Sequence, residues 1–134
     1  MAIIYFNGIE DILPIYEKTI EISGGGAKGI LDLGLLEAAL EHINNDDYYP
    51  TFCDKLTHLF FVANKHHCFQ DGNKRIAAAI FLYFMDRNQA LFRDGEKVIA
   101  DHTLVALTIM IAESKPEEKE MMISVIMNCI CLLY

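Results

Sequence analysis

The stretch His67-Cys68-Phe69-Gln70-Asp71-Gly72-Asn73-Lys74-Arg75-Ile76-Ala77-Ala78-Ala79-Ile80-Phe81-Leu82-Tyr83-Phe84-Met85 starts polar and ends apolar. Its second half, Ile76 to Met85, is apolar nearly all round, the pattern of a helix covered on every side by protein. The run is too short for the roughly 20 residues that a bilayer span requires, so a helix over Lys74 to Asn88 is expected at the centre of a bundle. The first half places a base, a carboxylate, a glycine, an amide and two cations on the loop that feeds this helix. That is the layout of a phosphate-handling site. Backbone N–H groups at a helix N-terminus attract anions, the adjacent cations Lys74 and Arg75 add charge, and Asp71 offers a hard oxygen to Mg²⁺. A histidine just upstream is placed to take a proton from an attacking hydroxyl.

Working outward, apolar residues recur at helical spacing from Ile9 to Ile22, with Pro14 tolerable only near the first turn, and Ser23-Gly24-Gly25-Gly26 ends the element. Gly24-x-Gly26-x-x-Gly29 has the letters of a dinucleotide fingerprint, but it follows a helix and lacks a surrounding βαβ unit. No Ser or Thr follows Lys28, which rules out a Walker loop. Asp32 is expected to cap a helix from Leu33 to about Ile43, with Leu36, Leu40 and Ile43 on one face. A third helix, near Phe52 to His66, carries Leu56, Leu59, Phe60 and Ala63 at core spacing and delivers the chain to the motif. Asp94-Gly95 is a hairpin turn signal inside residues 91–99. Asp101 is read as the cap of a helix through Ala112, and Ser114-Lys115-Pro116-Glu117 as the capping box of a final helix. Six or seven helices with short connections predict an all-α bundle with a small β-hairpin, and a chain of 134 residues is read as one domain spanning 1–134.

Composition narrows the function. With 53% hydrophobic residues and a formal net charge of −8, the chain is a poor ligand for nucleic-acid backbones, which need clustered cations to displace counterions. Any anion site must be local. Met121 to Tyr134 is also apolar, yet interrupted by Ser124 and Asn128, so it reads as a bundle or subunit contact rather than a membrane span, and a homo-oligomer fits it. The N-terminus, Met-Ala-Ile-Ile-Tyr, shows no secretory pattern, so Cys53, Cys68, Cys129 and Cys131 are expected to be reduced thiols in the cytoplasm. None forms a Cys-x-x-Cys pair, which argues against zinc. His42, His58 and His102 read as surface or structural residues, and the methionines as packing.

The motif resembles the signature of the Fic/Doc family, H-x-F-x-D/E-G/A-N-G/K-R, and His67, Phe69, Asp71, Gly72, Asn73, Lys74 and Arg75 fill every specified place. Gly25 to Leu40, with Asp32-Leu33-Gly34-Leu35-Leu36-Glu37-Ala38-Ala39-Leu40, is similar to the glycine loop and following helix of Doc-type, or death-on-curing, members. The end of the central helix and the Ala106 to Lys119 region are closer to the C-terminal Fic domain of RhuM-type virulence proteins, which leaves open that the chain is one domain of a longer protein. The resemblance implies a Fic-type helical bundle that uses ATP and Mg²⁺. It assigns His67 as general base on a target Ser or Thr hydroxyl and Asp71 as the metal contact. Gly72 permits close approach of a phosphate, Asn73 fixes the loop, and Lys74 and Arg75 hold the nucleotide and stabilise charge on the transferred group. His66 is set aside on motif register, and Phe69 is a pin into the core.

Lys74 points to the Doc branch, because AMP-transferring Fic enzymes typically have Gly there and a further Arg where this chain has Ala78. A Doc-type toxin implies transfer of the γ-phosphate to a target protein, a translation component such as an elongation factor, and restraint by a separate antitoxin. The self-inhibitory S/T-x-x-x-E-G/N pattern is missing, since Ser114 to Glu118 is followed by Lys119. The Gly24 to Leu31 loop is expected to serve as a flap for target docking. Two alternatives stand beside this reading: a Fic-type AMPylase, and an inactive helical binding or dimerisation module whose pocket was lost through Lys74, Ile76 and Ala78. Taken singly, Asp71-Gly72 also reads as a turn, Lys74-Arg75 as a solvated first turn, and His67 as a satisfied polar residue.

Overall fold

The computed structural model describes residues 2–22, 29, 32–66, 68–69 and 72–131, excepting the side chains of residues 130 and 131. Among the described residues the architecture is all-α: α1 (Ile9–Ile22), α2 (Gly34–His42), α3 (Phe52–Lys65), α4 (Asn73–Arg87), α5 (Asp101–Glu113) and α6 (Lys119–Cys131), with strands β1 (Phe92–Arg93) and β2 (Glu96–Lys97) between α4 and α5. A single 3₁₀ turn, Pro116–Glu118, leads into α6. The hairpin lies inside the expected interval, with Phe92 opposite Lys97 and Arg93 opposite Glu96. Asp94 and Gly95 both take positive φ, 53° and 82°, the conformation a tight two-residue hairpin turn demands.

The expected central helix is central. Helix α4 packs against α1, α3 and α5, and Ile76, Ala77, Ile80, Phe81, Phe84 and Met85 are buried along it. Aromatic pairs lock it in place: Phe60 meets Phe81 with centroids 4.8 Å apart, and Phe84 is flanked by Phe6 at 5.4 Å and Phe52 at 5.2 Å. Helix α3 is the second hub, touching α2, α4, α5 and α6. Its bury-all pattern was less legible, because Lys55, Thr57 and Asn64 are buried among its apolar residues. The N-terminal segment is pinned to the end of α4. Asn88 donates to Ile4 O and accepts from Ile4 N, while Arg87 donates to Tyr5 O and to the Asp11 carboxylate at 3.0 Å.

Local details depart from expectation in instructive ways. Pro14 sits beyond the first turn of α1, and the helix continues because Pro14 and Glu10 are exposed, so water can serve the carbonyl that the proline leaves without a donor. Asp32 does not cap α2 from the N-cap position, which Leu33 occupies; its carboxylate accepts Gly34 N–H at 2.8 Å from one residue further out. Asp101 is the first residue of α5 rather than its cap, and its carboxylate is taken by Lys97 at 2.5 Å. The expected box at Ser114 and Glu117 is displaced by one residue: Lys115 N–H donates to Glu118 Oε1 at 2.7 Å, and Ser114 Oγ closes α5 by donating to Ile111 O. Cys68 and Cys129 are free thiols. Cys53 is disulfide-bonded, which corrects the expectation of four reduced thiols: a pairing made across the fold is not revealed by spacing along the chain. No described helix is long and apolar enough to cross a membrane.

Candidate functional site

The loop between α3 and α4 is built by three neighbouring elements. His66 ends α3: its N–H donates to Val62 O at 3.1 Å, its backbone is extended, and its carbonyl accepts Cys68 N–H at 2.9 Å. This is the helix-end role expected of it. The Cys68 carbonyl in turn accepts Asp32 N–H at 3.1 Å, joining the loop to the segment ahead of α2. Burial, with the Asp32 carboxylate close by, pushes the Cys68 thiol above its ordinary value, so it is held as the neutral thiol and is no nucleophile.

Phe69 is the expected pin, 2% exposed. Its ring lies against Tyr16 of α1 with centroids 4.5 Å apart and planes 12° from parallel. Its backbone is gripped at both ends by one side chain: Asn73 Oδ1 accepts Phe69 N–H at 3.1 Å, and Asn73 Nδ2 donates to Phe69 O at 2.8 Å. Asn73 is the first residue of α4, so the backbone of Phe69 and the helix start are tied into one arch.

Gly72 precedes the helix with φ of +75°, a left-handed conformation that glycine adopts without strain, and Ile76 N–H closes the first turn onto its carbonyl at 2.9 Å. A Cβ at this position would stand 3.0 Å from Arg75 Nη2 and 3.3 Å from Ile20 Cδ1. The missing side chain therefore keeps the floor of the loop low beside the Arg75 guanidinium. Lys74 and Arg75 are exposed on the first turn of α4. There the leading N–H groups of a helix have no intrahelical acceptor and its dipole is positive. A cradle of this kind fits an anionic group such as a phosphate.

Of the expected site residues, Gly72, Asn73, Lys74 and Arg75 thus come together on one helix start. His67 and Asp71 lie outside the described residues, as does the expected flap apart from Gly29. Among the described residues no three His, Cys, Asp or Glu side chains gather as a metal cluster. A Mg²⁺ held by one carboxylate and a nucleotide's own phosphates needs no such cluster. Sequence reading passed over Tyr16. Its place on the buried face of α1 with Ile12, Ile15 and Ile20 marks it as core, and only its hydroxyl hints at a polar partner.

A protein-family model, the Fic/DOC family, matches residues 5–85. This span runs from the N-terminal segment through the arch and almost to the end of α4. The chain belongs to the Fic/DOC family, whose members are in general transferases that modify proteins. Searches of curated proteins and of solved structures gave no match.

Proposed function

We propose that the chain is a Doc-type protein kinase of a toxin–antitoxin pair: it moves the γ-phosphoryl group of ATP to a Ser or Thr hydroxyl of a target protein, and a separate antitoxin restrains it. The observation that supports this most is the exposed Lys74–Arg75 pair on a helix start to which Asn73 ties the Phe69 backbone, with a glycine floor at Gly72. Lys74 in place of the glycine of AMP-transferring members favours the γ-phosphate as the group presented. In this reading His67 accepts the hydroxyl proton as the substrate oxygen attacks the γ-phosphorus. The new O–P bond forms, the bond from that phosphorus to the bridging oxygen breaks, and ADP leaves with the electron pair. Lys74, Arg75 and the N–H groups at the start of α4 stabilise the charge on the phosphoryl oxygens, where most of the catalysis of this reaction class resides. Asp71 would hold the Mg²⁺, which neutralises charge on the nucleotide's phosphates when bound. The whole 134-residue chain acts as one domain. A translation factor as target fits a cytoplasmic site of action.

Label transfer from ATP into a soluble cell extract tests the proposal. Label from the γ position is expected on protein, and to fall by about a hundredfold or more in Arg75→Ala and in His67→Ala. Label transferred from the α position instead would make the chain an AMPylase. Transfer of neither, together with a melting temperature that ATP and Mg²⁺ leave unchanged, would make it a binding or dimerisation module.

A further inference from the structure

We infer that Tyr16 is a positioning residue that fastens Phe69, ahead of the α4 start, to Gly29, ahead of α2; this rests on the reading that the start of α4 serves the transfer reaction. Tyr16 is 6% exposed in the body of the core, a place where phenylalanine would serve as well for burial alone. A buried phenol needs a partner for its oxygen, and that partner is Gly29 N–H, which donates to Tyr16 Oη at 2.9 Å. The opposite part of the same side chain, the ring face, stacks on Phe69. One residue of α1 therefore holds both segments.

The arrangement extends along α1. Ile20, one helical turn on and on the same face as Tyr16, is the residue whose Cδ1 closes off the space at Gly72. Tyr16 and Ile20 thus prop the two ends of the arch, Phe69 and Gly72, from below. Asn73 fixes the Phe69 backbone from the side of α4, and Asp32 fixes Cys68 from the side of α2. The Tyr16 ring holds Phe69 from a third direction. Cys68 and Phe69, which follow the proposed base along the chain, are what this framework holds. The anion cradle belongs to α4 itself and does not need Tyr16. Loss of the stack is therefore expected to disturb the placement of the base more than nucleotide binding.

Two variants of the full chain separate the ring from the hydroxyl. In Tyr16→Phe the Gly29 amide should exchange with solvent about fivefold faster, the equivalent of one net hydrogen bond, while core amides of α4 stay unchanged. Unchanged exchange at Gly29 would overturn the link. In Tyr16→Leu the turnover of label transfer from ATP, corrected for folded fraction, should drop about tenfold with the KM for ATP within about twofold, and Tyr16→Phe should restore most of it. A residue that only stabilises the fold would lower the melting temperature and leave turnover per folded molecule intact, and that result would also overturn the inference. If the unaltered chain transfers no label, the transferase reading fails, and Gly29 exchange alone decides whether Tyr16 ties the two segments.

Discussion

The start of α3 and the start of α4 differ in how they expose their cations. At the start of α3 the cation is buried in the fold. Lys55, fully buried, donates to Ile43 O at 2.6 Å and to the Asp46 carboxylate at 2.7 Å, with the Tyr5 ring 5.5 Å from its nitrogen. Burial alone would depress its pKa, but Asp46 and Tyr5 outweigh it and hold the ammonium above its ordinary value. Beside it, Thr51 and Asp54 cap each other's backbone in a reciprocal box, with Asp54 N–H on Thr51 Oγ1 at 3.1 Å and Thr51 N–H on Asp54 Oδ2 at 3.0 Å. Ahead of α4 it is the backbone of residues 68–69 that is held. Asn73 and Asp32 fix peptide groups of residues 68–69, and the cations Lys74 and Arg75 remain exposed at a helix start. A buried cation is architecture, whereas exposed cations at a helix start are in a position to meet a ligand.

The sharpest way to break this contrast is to remove the buried cation. Lys55→Met deprives the buried Ile43 carbonyl of its donor while leaving an exposed Asp46 to water, and should cost about 3 kcal/mol of stability. Chemical denaturation would measure it. Label transfer well below the melting temperature should be unaffected, and a comparable loss of transfer would mean that the two helix starts are not separate in role. Next comes Asn73→Ala, which frees both Phe69 backbone groups. Transfer should fall roughly ten- to a hundredfold, because displacement of the loop acts directly on reacting groups, while denaturation shows a smaller stability loss than Lys55→Met. If Asn73→Ala proved the more destabilising of the two and as active as the parent, Asn73 would be architecture like Lys55.

This contrast also explains what could be read from the sequence. Helix α4 was legible because Ile76 to Met85 is apolar on every side, and the hairpin because Asp94-Gly95 supplies two residues that tolerate positive φ. Gly72 and Asn73 were legible in position because the motif leads directly into an apolar helical run, and a glycine with positive φ does stand just ahead of it. Helix α3 was only half legible. Leu56, Leu59, Phe60 and Ala63 gave its core face, but the burial of Lys55 depends on Ile43 and Asp46, which another segment supplies. The caps failed for a related reason. Asp101 looks like an N-cap by itself, yet the hairpin delivers Lys97 to its carboxylate, and an ion pair replaces the cap. Tyr16 escaped notice because its ring and hydroxyl have partners on two separate segments, Phe69 and Gly29, and periodicity records only that it faces inward.

The smallest effect belongs to His58, on the architectural side of the comparison. Its ring packs 4.5 Å from Tyr49, whose hydroxyl lies 3.3 Å from Nδ1. Burial, then the positive charges of Lys119 and His42, lower its pKa from 6.5 to about 4. In the unfolded chain the same imidazole takes up its proton near 6.5. Between these two values the unfolded state binds more protons than the folded one, so stability falls as pH drops through that window and its contribution levels off below about 4. The melting temperature should therefore be lower at pH 5 than at pH 7, and His58→Gln, which can keep a hydrogen bond to Tyr49, should flatten that slope. An unchanged slope in the variant, or an NMR titration of His58 near its ordinary value, would show that the ring is not desolvated. The N-terminal end of α3 would then be more open to water than its Lys55 anchor suggests.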